Sequence, residues 1–372
     1  MSSNHYKEIA LLFGKLGCIA FGGPAAHVAM MEDEVVTKRK WMDREHFLDL
    51  MGATNLIPGP NSTELTMHCG HERGGILGLF IAGICFIVPA VLITGFLAFL
   101  YTKYGDLPNV EPFIYGIKAA VLAIIAAAIY KLGKKALKNY ELGILGVAVL
   151  IASLVFQVNE ILALLAGGVI GTLYFWIKNN SFNSAQSFAP IILFKAAGNL
   201  ASTKIFLSFL KVGAILYGSG YVLFAYLDAE LVATGLLSRA DLMEAIAVGQ
   251  FTPGPVLSTA TFIGYQLGGW SGAVAASIGI FLPSFLFVAL LNPLVPKMRQ
   301  SKVLGYFLDC VNVAAVAVMG AVLIKMGQES LGDWKSIVIA IIGIAMTFGW
   351  KKSNAMYVVL MGSILGYLLT LV

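Results

Sequence analysis

Long stretches without a charged side chain constrain this chain more than any other feature of its sequence. Residues 76–100 run for 25 positions without a charge, and residues 336–350 form a shorter run of the same kind. Only 12% of the residues are charged and 58% are apolar, whereas a soluble domain carries about 25% charged residues. A membrane-spanning helix needs roughly 20 mostly apolar residues. The sequence therefore predicts an all-α, multi-pass protein of the lipid bilayer.

The chain also contains an internal duplication. Residues 9–22 align with residues 205–218 at a spacing of 196, and seven of the fourteen positions are identical. Pro-Gly-Pro occurs at residues 58–60 and again at residues 253–255, a spacing of 195. Spacings that drift by single residues are expected when a duplicated unit loses loop residues. We predict a first repeat over residues 1–178, a polar linker over 179–204 and a second repeat over 205–372.

Each repeat is predicted to contain one crossing helix, one re-entrant hairpin and four further spans. In the first repeat the crossing helix covers residues 8–21, the two hairpin pieces cover 44–57 and 61–72, and the spans cover 75–100, 110–130, 142–156 and 161–177. The hairpin pieces are too short to cross a bilayer. Five crossings are an odd number, so the second repeat would have inverted topology. The prediction is about 10 transmembrane helices plus two re-entrant hairpins, each broken at Pro-Gly-Pro.

The distribution of basic residues gives this topology an orientation. With the connector around Trp41 in the cytoplasm, 17 Lys and Arg residues fall inside and 5 outside, while Lys15, Lys118 and Lys211 fall within spans. Cytoplasmic loops carry an excess of Lys and Arg. The sequence therefore predicts that both termini lie outside.

The Pro-Gly-Pro segments are the strongest candidates for a binding site. Proline lacks an N–H group and glycine tolerates unusual dihedral angles, so each segment ends one helix and starts another. Broken helices near the midplane bind substrate in inverted-repeat transporters, and free N–H groups at a helix start bind anions. The alternative is a kink that only lets helices pack. The predicted binding residues are Asn55, Pro58, Gly59, Pro60, Asn61, Ser62 and Thr63 in the first repeat, and Gln250, Pro253, Gly254, Pro255 and Ser258 in the second.

Lys15 and Lys211 occupy matching positions in the first helix of each repeat. A bare ammonium group in lipid costs about 2.5–3.5 kcal/mol, so each should face protein or a wet cavity. Two interpretations stay open. The lysines attract a dianion, or they pair with the matching acids Asp49 and Glu244; both hold if an arriving anion displaces the carboxylate.

Glycine-rich turns follow both of these helices. They either add backbone donors to the site or simply stop the helices. The predicted turn residues are Gly22, Gly23 and Pro24 in the first repeat, and Gly218, Ser219 and Gly220 in the second.

Two further features break the symmetry between the repeats. Glu64 aligns with Thr259, and it either carries a coupling proton or pairs with Lys15. His68 and His71 suggest a metal site, but the matching residues 263–266 offer no ligand, so we expect no metal. No Gly-Lys-Ser/Thr phosphate loop is present. We therefore expect no nucleotide, no other cofactor and no nucleic-acid partner.

Several motifs together resemble those of the chromate ion transporter family, in its long-chain, two-domain form. They are Phe-Gly-Gly-Pro at residues 21–24, Pro-Gly-Pro at 58–60, Gly-Ser-Gly-Tyr-Val at 218–222 and Gln-x-x-Pro-Gly-Pro at 250–255. The resemblance covers nearly the whole chain. It implies a carrier in the plasma (inner) membrane that moves chromate, often outward, with sulfate as a similar dianion, and it implies no enzymatic activity.

The leading hypothesis is a secondary transporter that binds a tetrahedral oxyanion between the two Pro-Gly-Pro segments. An oxyanion channel that uses the same residues is one alternative. A membrane-embedded, metal-dependent enzyme that reduces chromate is another. A homodimer is compatible with the sequence.

Overall fold

The computed structural model describes residues 3–21, 23–105, 107, 110–179, 201–217, 220–291, 301–350 and 355–370. These residues form helices and turns, and they contain no β-strand. Five of the described helices are long and apolar enough to cross a membrane. The prediction of an all-α, multi-pass membrane protein is confirmed. Most of the predicted linker, residues 180–200, lies outside the described residues.

The helices of the two halves follow one another in the same order. The first half contains α1 (Ser3–Ile19), α2 (Pro24–Glu32) with a π-helical continuation (Asp33–Lys38), α3 (Arg44–Thr54), α4 (Asn61–Tyr104), α5 (Glu111–Ala136), α6 (Tyr140–Leu154) and α7 (Glu160–Asn179). The second half contains α8 (Ala201–Ile215), a 3-10 turn (Gly220–Val222), α9 (Leu223–Leu227) with a π-helical continuation (Asp228–Val232), α10 (Arg239–Phe251), a second 3-10 turn (Val256–Ser258), α11 (Thr259–Leu291), α12 (Lys302–Ser330), α13 (Trp334–Gly349) and α14 (Ala355–Thr370).

The two longest helices, α4 and α11, fold back on themselves at a glycine. Gly75 has φ 63° and ψ −156°, and Gly269 has φ 59° and ψ −150°, a region that only glycine enters readily. As a result Gly70 packs against the backbone of Gly78, which would be far away in a straight helix. Each helix therefore consists of a short arm before the glycine and a long arm after it.

The amino-terminal end of α1 lies beside the connector that follows α2. Glu8 accepts a hydrogen bond from the Trp41 indole at 3.1 Å and forms an ion pair with Arg73 at 2.8 Å. The prediction that α1 crosses the membrane alone, with the N-terminus and Trp41 on opposite sides, is therefore wrong. The glycine-rich turn after α1 reverses the chain, and α1 and α2 form an antiparallel hairpin.

The two halves pack together mainly through the long arms of α4 and α11. Phe80 stacks on Phe285 with ring centroids 5.4 Å apart. Fifteen residues further along α4, Gly95 lies against Trp270, since a Cβ there would come 3.1 Å from the indole. Residue numbers that rise in one arm while they fall in the other show that the two arms run antiparallel.

Candidate functional site

Both Pro-Gly-Pro segments lie inside the protein. Residues 58–60 separate α3 from α4, residues 253–255 separate α10 from the 3-10 turn that precedes α11, and all six are buried. The segments end their helices for the predicted reason, because Pro60 and Pro255 take extended backbone angles at the start of the next helix. We call residues 58–60 the first break and residues 253–255 the second break.

Each break hydrogen-bonds to the opposite half. Gly59 donates its N–H to the carbonyl of Leu216 at 2.6 Å, and Gly254 donates its N–H to the carbonyl of Ala20 at 2.9 Å. Ala20 and Leu216 are matching residues just beyond α1 and α8. The crossed pair of bonds therefore obeys the internal pseudo-symmetry, and it binds the end of one hairpin to the break of the other half.

The first turns after the breaks use some of the N–H groups that the sequence predicts to be free. Thr63 and Glu64 donate to the carbonyl of Pro60 at 2.8 and 3.1 Å, and Ser258 donates to the carbonyl of Pro255 at 2.9 Å. Thr63 and Ser258 are therefore not backbone donors for a ligand, because a tight first turn satisfies them. That part of the prediction is wrong.

Several polar side chains beside the breaks are already partnered. Ser62 lies 3.3 Å from Nδ1 of His27, whose Nε2 donates to the Ala20 carbonyl at 3.0 Å. Asn55 donates to the carbonyl of Met51 at 3.1 Å and accepts from Asn61 at 2.6 Å. His27 was missed by sequence reasoning, since a single histidine in an apolar helix gives no specific signal. These contacts tie the breaks to their own half.

Other polar atoms in the breaks have no hydrogen-bond partner among the described residues. They are Oγ1 of Thr63 and Nε2 of Gln250, while the buried carboxyl group of Glu64 lies beside the Ser284 hydroxyl and has no cation. Buried polar groups are nearly always hydrogen-bonded, so a cluster of exceptions requires an explanation. Ser284 was also missed by the sequence analysis, although it follows Pro283, which aligns with Pro89. The exceptions make this region the best candidate for a ligand site.

Lys15 and Lys211 form ion pairs with acids other than the predicted ones. Lys15 lies 3.4 Å from Glu34, and Lys211 lies 2.6 Å from Glu230. The lysine side chains are 56% and 42% exposed, so they are not enclosed by the protein. Glu34 and Glu230 are themselves matching residues, each on the helix that returns from a glycine-rich turn. Each lysine and its carboxylate lie on opposite arms of one helical hairpin, and the hairpin places the two side chains next to each other.

The acids predicted to pair with the lysines lie elsewhere. Glu244 forms an ion pair with Lys118 at 2.5 Å and accepts a hydrogen bond from Tyr101. Its predicted pairing with Lys211 is therefore wrong. Asp49 lies on an exposed face of α3, and the ion pair that the structure gives Lys15 is with Glu34. The predicted pairing of Glu64 with Lys15 is also wrong, because Glu64 is fully buried beside the Ser284 hydroxyl and Lys15 pairs with Glu34.

The glycine-rich turns lie against the second half and its break. A Cβ on Gly23 would come 2.7 Å from the Tyr221 hydroxyl, and one on Gly220 would come 3.5 Å from Val256. Pro24 starts α2. Gly22, Gly218 and Ser219 lie outside the described residues. The two turns thus bring α1 and α8 to the same central region as the breaks.

Sequence comparisons identify the family to which this arrangement belongs. The family model described as chromate transporter matches residues 7–172 and, separately, residues 203–367. A probable chromate transport protein of Synechococcus elongatus is 31% identical over 357 residues, covering 93% of this chain and 90% of that protein. A chromate transport protein of Cupriavidus metallidurans is 29% identical over 374 residues, covering 97% and 92%.

A half-length relative also matches. An uncharacterized transporter of Bacillus subtilis is 26% identical over 191 residues, covering 49% of this chain and 94% of that protein. No solved structure matches the chain.

Proposed function

The chain belongs to the chromate transporter family, and from this we propose that it is a secondary transporter that moves chromate across the plasma membrane. Sulfate, a dianion of the same tetrahedral shape, is the second proposed substrate. The proposal depends most on the crossed hydrogen bonds from Gly59 to Leu216 and from Gly254 to Ala20. They join each buried break to the end of the first helix of the other half, and inverted-repeat transporters bind substrate at paired helix breaks of this kind.

The proposed topology has two inverted halves, over residues 1–178 and 205–372, with the breaks near the midplane. Antiparallel packing of the α4 and α11 long arms supports inversion, because matching helices of halves with the same orientation would run parallel. In each half, two hairpins enter and leave by one face, which leaves four spans, so inversion additionally requires the segment between α7 and α8 to connect opposite faces. The run Lys38, Arg39 and Lys40 at the first-half connector favours placing that face in the cytoplasm.

The proposed binding site lies between the start of α4 and the start of α11. The helix dipoles and the N–H groups of residues 61–62 and 256–257 would face the anion. The hydroxyl of Thr63 and the amide of Gln250, which lack partners among the described residues, would complete the set of donors. Lys15 and Lys211 attract the anion on its way in, and their main contacts are with Glu34 and Glu230.

The proposed direction of transport is outward. A dianion that leaves a cell with a negative interior gains roughly 2.3 kcal/mol per charge for each 100 mV of membrane potential. Outward movement of chromate therefore needs no nucleotide. Inward movement of the bare dianion would have to overcome the same energy.

Counterflow of labelled chromate in proteoliposomes tests this function. We expect vesicles preloaded with unlabelled chromate to accumulate labelled chromate transiently, and sulfate to compete. A channel gives no counterflow, because it does not exchange one bound anion for another. Absence of counterflow together with chromate conductance would contradict the carrier.

Substitutions at two glycines test in the same assay whether the first break forms part of the site. Gly59 and Gly235 both have positive φ, but a Cβ on Gly59 would collide with the carboxyl of Glu64, whereas nothing lies within 4 Å of one on Gly235. Overpacking costs about 1–3 kcal/mol. We expect Gly59→Ala to abolish counterflow and Gly235→Ala to preserve it. Equal counterflow in both variants would mean that the first break does not form the site.

A further inference from the structure

Glu64 is a carboxylic acid buried where the two halves meet. It lies in the first turn of α4 and its side chain is 0% exposed. Its carboxyl group lies against Gly59, and a Cβ on Gly59 would come 2.6 Å from Oγ of Ser284, on the long arm of α11. Glu64 therefore lies between the first break and the second half.

No cation in the described part of the chain pairs with Glu64. Its carboxyl group has the hydroxyl of Ser284 beside it. Other buried acids are paired with lysine, as Glu160 is with Lys325 at 2.5 Å and Glu244 is with Lys118 at 2.5 Å. An ionised carboxylate that is buried without a cation is strongly disfavoured, and a single hydroxyl does not replace the missing charge. In this conformation Glu64 therefore holds its proton.

The titratable groups around Glu64 do not change this conclusion. Tyr217, just beyond α8, faces the carboxyl group. His27, on the neighbouring hairpin, contacts Ser62 and the Ala20 carbonyl, and His68 lies one turn further along α4. No lysine or arginine forms an ion pair with Glu64 in the described structure. The protonation state of Glu64 therefore depends on the charge of a ligand that binds beside it.

The second half has no such group. Thr259 takes the matching position, and its hydroxyl donates to the carbonyl of Val256 at 2.8 Å. The position that matches Glu64 thus holds a hydroxyl that is satisfied within its own turn. Of the described residues at these two matching positions, Glu64 alone can bind and release a proton.

We propose that Glu64 carries one proton that moves together with the anion, which makes the protein a proton–anion symporter. The inference rests on the proposed function and specifies its coupling. A dianion in the breaks repels an ionised carboxylate and favours the neutral acid. The proton enters from water on the side where the anion loads, and it returns to water on the side where the anion leaves. A proton with a dianion retains one negative charge, so the membrane potential still drives the pair outward.

Proteoliposomes that contain a pH indicator test the coupling. In the wild type we expect chromate movement to carry protons in the same direction, one per chromate, and counterflow to vary with pH. Glu64→Gln cannot release a proton, so whatever chromate transport it retains should show neither the proton movement nor the pH dependence. Glu160→Gln is the matched control, because Glu160 is also buried but has a lysine partner, and it should retain proton movement.

The possible outcomes separate this inference from the proposed function. Net chromate efflux without proton movement in the wild type, or proton movement that survives in Glu64→Gln, overturns the role of Glu64 and leaves the carrier intact. No counterflow in the wild type contradicts the carrier itself. If Glu64→Gln stops counterflow as well, Glu64→Asp decides. Restored, proton-coupled counterflow supports the role, and uncoupled counterflow or none overturns it.

Discussion

Glu34 and Glu230 occupy matching positions on the helices that return from the two glycine-rich turns, yet their surroundings differ. Glu34 lies 3.3 Å from Lys38 and 3.4 Å from Arg39 in addition to Lys15. Glu230 has Lys211 as its ion-pair partner in the described structure. A carboxylate with several cations tolerates the loss of one, whereas a carboxylate with a single cation does not.

This difference predicts unequal effects of the two matching lysine substitutions. Lys211→Gln should lower the free energy of unfolding by about 1–2 kcal/mol, as expected when a hydrogen bond between charged groups is lost. Lys15→Gln should lower it by less than about 1 kcal/mol, because Glu34 keeps two cations. Unfolding by SDS in mixed micelles measures both, and the double variant Lys211→Gln/Glu230→Gln should recover part of the loss. Equal losses in the two lysine variants would contradict these assignments.

The chemistry of single residues was predictable only in part. Pro58 and Pro253 predict the two breaks, because a proline inside a helix removes a backbone hydrogen bond and interrupts the helix. The partner of Lys15 was not predictable, since it depends on a hairpin that brings Glu34 beside it. The absence of a cation beside Glu64 was not predictable either, because comparing the two repeats shows that Thr259 replaces it but not which side chains surround it.

At the scale of elements, the helix break between α3 and α4 was predicted correctly, and the hairpin of α1 and α2 was missed. Pro-Gly-Pro marks the break between α3 and α4 directly. The hairpin of α1 and α2 was misread as a single span, because residues 8–21 are mostly apolar and nothing in the sequence shows that the chain turns back after them. The contacts of Glu8 with Trp41 and Arg73 that reveal the hairpin join residues far apart in sequence. Hydropathy therefore identifies helices here, but not where they turn back.

The antiparallel packing of α4 on α11 makes a prediction that crosslinking can check. With Cys18, Cys69, Cys85 and Cys310 replaced by alanine, a short bifunctional thiol reagent should join Phe80→Cys to Phe285→Cys, whose rings are stacked. It should fail to join Phe80→Cys to Trp270→Cys, since fifteen residues of helix span about 22 Å. The opposite result would mean that the two arms run parallel, and inversion of the halves would be wrong.

At the scale of the whole molecule, duplication explains the repeated order of helices and the two breaks, but it does not explain the residues that differ between the two sides of the site. The family model matches the chain twice, and the crossed bonds of Gly59 and Gly254 repeat at matching positions. His27 and Glu64 have no matching titratable residue, since Leu223 and Thr259 take their places. A scaffold built from two like halves thus holds a site whose two sides differ. The duplicated scaffold could be foreseen from repeated motifs, whereas the difference between its sides required atomic contacts.

The central claim is that chromate binds between the two breaks, and chromium itself provides the most direct measurement. Anomalous diffraction from crystals grown with chromate should show one chromium peak between residues 58–60 and 253–255. It should lie about 4 Å from the first nitrogen atoms of α4 and of the turn before α11, one hydrogen bond beyond the chromate oxygens. Chromium found only at the charged connector near Lys38 and Arg39, with nothing between the breaks, would contradict the account.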